Sequence, residues 1–322
     1  MYAVPAWHNS IKSIVLQIAN FKILRVTPIG KGPAMSHGKC NALLAKFGLT
    51  AEDLLAEVPE IGSDDVIMLV GSVSDGLATS LSDIDIMVAG ERRPDSDLVL
   101  WESDRQRAIR RLDSGQEINI EYWDWDRLKV IAGKFSDSAY AINNPTLTDD
   151  IIVFDEEEVR IIHYILNGIV LSSGEKLIFD EIFDKDSFLD YLVMFSATKY
   201  LATAEDSIGQ IMEADVECAS FDLRRAFEFL VGAELASHGY TNPAPRWRMK
   251  LLRSAKAELG DEVYERYMSY LFCGPDKTRL EIEEALRFGQ DRLGAIFMRR
   301  PKVFAAAGAL GERMKFVTSF QA

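Results

Sequence analysis

Asp83 and Asp85 stand two residues apart in the run Ser82-Asp-Ile-Asp-Ile-Met-Val88. Strand side chains alternate between faces, so both carboxylates point the same way. Like charges at that spacing repel each other, and a plain surface strand would more cheaply carry Thr or Lys. A doubly positive group between the two aspartates removes the conflict. Upstream, Gly71-Ser72 closes a short apolar run, and ten residues separate Ser72 from Asp83. Glycine lets the backbone approach a ligand closely. A helical turn starting over Val73 to Leu77 would aim N–H groups at an anion, and Ser72 adds a hydroxyl. A phosphate cradle is thereby set beside a carboxylate pair. Mg²⁺ takes one or two carboxylates together with substrate phosphates.

The elements that must position these residues can be read from hydrophobic spacing. Residues 65–71, DVIMLVG, read as a buried strand, 83–89, DIDIMVA, as a second, and 117–123, EINIEYW, as a third. Residues 97–113 carry Leu98, Trp101, Ala108, Ile109 and Leu112 at helical spacing and predict an amphipathic helix. Its basic outer face would hold Arg105, Arg107, Arg110 and Arg111. The middle third is thus an α/β core with a mixed sheet, the helix serving as crossover to the third strand.

Residues 1–60 form an N-terminal extension packed on that core. They hold a strand at 22–27, a loop over 28–39, a helix over 40–49, and a second helix opened by Thr50 through a capping box. The catalytic unit spans 61–180, with a helix at 156–167 whose acidic start, Asp155 to Glu158, reads as a solvated face favoured by the helix dipole. From 181 to 322 apolar residues recur every three or four positions and strand signals nearly vanish. That half predicts a helical bundle, and the fold class is α+β.

The net charge of −14 disfavours long nucleic acids, which are held by cationic side chains, and suits a cationic small molecule or a metal-carried substrate. The three cysteines, Cys40, Cys218 and Cys273, are odd in number and widely spaced, which predicts reduced thiols. The four histidines show no ligand spacing, and His163, in an apolar helical run, reads as packed. The start of the chain lacks a secretory pattern and no apolar run is long enough to cross a bilayer, so a cytoplasmic protein is expected. Gly32 to Cys40 has a gap one residue too long for a phosphate-binding P-loop, and Cys40 replaces the hydroxyl that would bind Mg²⁺.

The Gly-Ser and Asp-Ile-Asp pattern resembles the nucleotidyltransferase superfamily that includes DNA polymerase beta. Val70, Gly71, Ser72, Asp83, Ile84, Asp85 and Ile86 match its motif, and Ser82 is also common there. The resemblance covers residues 65–124. The two-part layout looks most like the antibiotic and small-molecule nucleotidyltransferases, and Leu166 to Leu171 resembles their link after the sheet. Where many small members carry Ala-Arg-Gly, this chain has Ser74-Asp75-Gly76.

The resemblance implies a third acid on a neighbouring strand. Glu117, Asn119, Glu121 and Trp123 share one face of EINIEYW; Glu121 is the first choice and Glu117 the reserve. It also implies a nucleoside triphosphate co-substrate, ATP or another, on Gly71 and Ser72. Two Mg²⁺ ions would sit on Asp83, Asp85 and Glu121, and Lys199 of the first long helix would reach the triphosphate. Tyr200 or Trp123 is available for base stacking, although packing is the plainer role for each. The expected reaction moves a nucleoside monophosphate, AMP from ATP, to a hydroxyl of a small molecule and releases pyrophosphate. The alternatives are a nucleotide-binding regulatory module, or transfer to a protein or RNA acceptor. Homodimerisation stays open.

Overall fold

Five consecutive apolar residues suit a strand covered on both faces, and Val66–Val70 is that strand, β1, buried along its whole length in the sheet. The computed structural model describes residues 37–58, 62, 65–90, 99–102, 105–144, 152–172, 183–274 and 277–309. The expected strand at 22–27 lies outside them, as does most of the loop expected over 28–39. A short turn of helix, α3 (Gly71–Ser74), follows β1. Then come β2 (Ile84–Gly90), β3 (Val99–Glu102), β4 (Arg105–Arg111) and β5 (Glu117–Asp124). The last strand is β6 (Ile169–Ser172), and the order in the sheet is β3-β4-β5-β2-β1-β6. The β2–β5 pair is parallel and the other neighbours are antiparallel, so the sheet is mixed.

The helix expected over 97–113 is not formed. A β3–β4 hairpin occupies the segment and pairs along the outer edge of β5. An edge of β5 left open would strand its N–H and C=O groups, and alternation along β4 turns Ala108 into the core while Ile109 stays exposed. The arginines therefore do not form one helical face. The crossover that sets β5 parallel to β2 is built from strands. The strand β6 directly after Gly168 was also not expected.

The two faces of the sheet have different covers. Ile67, Leu69, Ile84, Ile86, Ile118 and Ile120 pack against α1 (His37–Leu44) and α2 (Ala51–Glu57). Thr50 caps α2 in a capping box with Asp53. Cys40, the last residue of the P-loop-like stretch, is buried in this cluster. The other face presents Met68, Val70, Met87 and Trp123 to α4 (Trp125–Asn143), α5 (Glu156–Asn167) and the helical half, within one continuous apolar core. Asp155 and Glu158 form a capping box at the start of α5. Glu158 itself is buried and bonded to Lys134, so this end of the acidic run is not solvated as expected.

The helical half begins with α6 (Lys185–Met212) and α7 (Val216–Ser237), which pack together more extensively than any other two elements. A 3₁₀ turn at Pro245–Trp247 leads to α8 (Arg248–Ser254), α9 (Lys256–Leu259), α10 (Asp261–Leu271), α11 (Arg279–Arg299) and α12 (Pro301–Ala309). Among the described residues no helix is long and apolar enough to cross a membrane. Cys40, Cys218 and Cys273 are all free thiols.

Candidate active site

The chain leaves β1 at Val70, whose partner across the antiparallel ladder is Asp85. Gly71 then adopts φ +70°, a left-handed conformation that glycine takes without strain. A Cβ on Gly71 would lie 2.4 Å from Asp85 Oδ2, so glycine is what lets the turn close onto the carboxylate. Ser72 is buried, and its carbonyl accepts from Leu77 N at 2.8 Å and Ala78 N at 2.9 Å. The helical turn thus starts two residues earlier than the sequence suggests. Gly71→Ala should lower stability by about 1–3 kcal/mol through the left-handed backbone and displace the Asp85 carboxylate. A thermal melt and a divalent-cation titration check this; a variant matching the parent in both would overturn the placement.

The loop from Asp75 to Ser82 is tied from several directions. Asp75 Oδ2 lies 3.0 Å from His163 Nε2 and accepts from Asn242 Nδ2 at 2.6 Å. Lys250 donates to Leu77 O at 2.7 Å, and Lys46 to Ala78 O at 3.0 Å. His163 Nδ1 is 3.0 Å from Thr241 Oγ1. His163 is therefore packed and hydrogen-bonded, and Asp75, where a different residue was noted in similar chains, docks the loop onto α5 and the helical half. The Ser82 hydroxyl accepts from Thr79 N at 2.8 Å, which employs it within the loop.

Across the parallel pair, Asp85 is opposite Asn119 and Met87 opposite Glu121. Asp85, Asn119 and Glu121 accordingly share the sheet face that meets the helical half. Burial deepens along the row: Asp83 is exposed, Asp85 half-buried, and Asn119 and Glu121 buried. The Asn119 side chain reaches both aspartates: its Nδ2 lies 2.5 Å from Asp83 Oδ2 and 3.4 Å from Asp85 Oδ1. Its Oδ1 accepts from Arg107 Nη2 at 2.8 Å. Glu121 Oε1 accepts from Arg160 Nη1 of α5 at 2.8 Å, and the guanidinium also lies over the Tyr164 ring, 5.2 Å from its centroid. Glu117 pairs instead with Arg111 at 3.4 Å.

Burial first, then the charges of Asp83 and Glu121, push the Asp85 carboxyl up to about 6. Burial works against the charge on Arg160, but Glu121 outweighs it and raises the guanidinium above its ordinary value. Tyr164 is pushed up to about 12 by burial and by Asp85. These shifts mark a face with an excess of negative charge held out of water. Two hard oxygen donors under such repulsion suit one divalent cation, with Asp83 and Asp85 as the residues that would hold it. Among the described residues no three acidic, histidine or cysteine side chains come together closely enough to enclose a metal ion.

Residues 51–134 match the nucleotidyltransferase domain family. The match takes in α2, β1, the Gly-Ser turn, the aspartate pair and β5, and the fold is nucleotidyltransferase-like. One solved structure similar to this chain is a nucleotidyltransferase-like protein from Exiguobacterium sibiricum 255-15. It is 15% identical, with a TM-score of 0.40 over 85% of this chain and 80% of that one. Among curated proteins none matches.

The remaining expected residues of this nucleotidyltransferase-like chain are placed as follows. Lys199 is exposed on α6, its Nζ 5.7 Å from the Phe195 ring centroid. Trp123 and Tyr200 are both buried in the core and present no face to a nucleotide base. Asn119 and Arg160 were given no role from the sequence, and Arg107 was placed on a helical face that is not formed. Asn119 had a visible signal, since it shares the face of Glu121 one alternation closer to the aspartates. Arg160 had none.

Proposed function

We propose that the protein is a Mg²⁺-dependent nucleotidyltransferase that moves a nucleoside monophosphate, AMP from ATP, to a hydroxyl of a small molecule. The observation that carries this reading is the closure of the Gly71 turn onto the Asp85 carboxylate, with Asp83 beside it, inside the matched domain. The backbone of Gly71 and Ser72 grips the triphosphate. A cation on Asp83 and Asp85 would neutralise phosphate charge there. The acceptor oxygen attacks the α-phosphorus. The bond from that phosphorus to the bridging oxygen breaks, and pyrophosphate leaves with the electron pair. The acceptor's proton passes to a nearby base or to water. The acidic chain suits a cationic, hydroxylated acceptor.

The test is pyrophosphate release with each of the common nucleoside triphosphates, Mg²⁺ and a panel of hydroxylated amines. Release that requires one acceptor and stops with chelator is the expected result. The Arg160–Glu121 pair favours a second reading, a nucleotide-binding regulatory module, because it engages one of the acids that catalysis would use. Nucleotide binding with no release across the panel would replace the first reading with the second.

A further inference from the structure

Three carboxylates share the candidate site, but they are not equivalent. Asp83 and Asp85 are bridged by the Asn119 amide. Arg107 holds the Asn119 carbonyl oxygen on the far side, so that oxygen is already employed and the NH₂ group is the end turned to the carboxylates. The corner of the site directly opposite Asp85 is therefore a neutral donor and not an acid. The next acid along β5, Glu121, lies deeper and is paired with Arg160. An ion placed against Glu121 would have to part a largely buried pair and then sit beside a guanidinium. Separating such a pair costs far more than separating one in water.

We infer that this site takes a single divalent cation, on Asp83 and Asp85, and that Arg160 supplies the fixed positive charge where a second ion would need Glu121. Asn119 is a positioning residue that spaces the two aspartates, and Arg107 sets its orientation. Glu121 anchors Arg160 and is not a metal ligand. This departs from the two-ion arrangement that the sequence resemblance implies, and it rests on the nucleotidyltransferase reading for the identity of the cation site.

The experiment is a Mn²⁺ titration of the full chain without nucleotide, counted by electron paramagnetic resonance, with no dependence on turnover. The parent should bind one Mn²⁺ per chain and Asp83→Asn none. Arg160→Met removes the guanidinium that pairs with Glu121 and should add a second ion. Asn119→Asp completes an acidic triad and should tighten the first ion by about tenfold or more. The two variants alter opposite sides of the site, so a failure of one to fold leaves the other decisive; folding is checked by thermal melt. Two ions on the parent, or variants that bind as the parent does, would overturn the single-ion assignment and leave the transferase reading intact. Full Mn²⁺ binding by Asp83→Asn would remove both.

Discussion

Asp85→Asn should lower nucleotidyl transfer on the order of 10³-fold or more while leaving the ion-free chain at least as stable as the parent. The two effects have one cause. Asp85 is held half-buried on β2 with Asp83 and Glu121 as neighbours, so burial and those two charges disfavour its ionised form relative to water. An amide keeps the shape and one accepting oxygen and removes that repulsion. The carboxylate is maintained against this cost for the cation it would hold and the phosphate charge that cation would neutralise. Pyrophosphate release and a thermal melt in chelator, run side by side, check the pair. Near-parental transfer would refute the site, and a lower melting temperature would show that Asp85 is structural.

Glu234→Ala should be the most destabilising single substitution outside the site, at about 3–5 kcal/mol. Glu234 is fully buried in the helical half. It accepts from Arg292 of α11 through Nη2 at 2.8 Å and Nε at 3.1 Å, and from the Tyr267 hydroxyl of α10 at 2.6 Å. Arg299 also bonds to it, and His238 Nε2 lies 3.3 Å away. One carboxylate thus joins three helices, and its removal strands guanidinium groups in the interior. Burial alone would raise the Glu234 carboxyl, but the contacts from His238, Arg292 and Tyr267 outweigh it and bring it from 4.5 down to about 2. A carboxyl lowered by folding contributes stability that is present above its unfolded value and lost as pH falls through its folded one. The stability gap between the parent and Glu234→Gln should therefore narrow as pH falls from 4.5 towards 2. Urea midpoints at pH 7 and pH 3 measure this, and a gap unchanged between them would show that the pairing is not what stabilises the bundle.

What local spacing determines was legible in the chain. The apolar run ending at Gly71, the alternation of β5 and the carboxylate pair at the start of β2 depend only on near neighbours, so their strands, and the shared face of Asn119 and Glu121, follow from the period of two. The capping residue Thr50, the helix at 156–167 and the helical run after 184 were equally plain. Tertiary structure decided the rest. The segment around β4 carries helical spacing, yet it became a strand because the edge of β5 needed hydrogen bonds, a demand no local pattern announces. Arg160, Asp75 and Asn242 acquire their roles through partners 39 to 167 positions away. The register of β2 on β5 then decided that an amide, and not an acid, faces Asp85. Periodicity says which way a side chain points along its own strand, and only the packing of one strand against another says what it meets there.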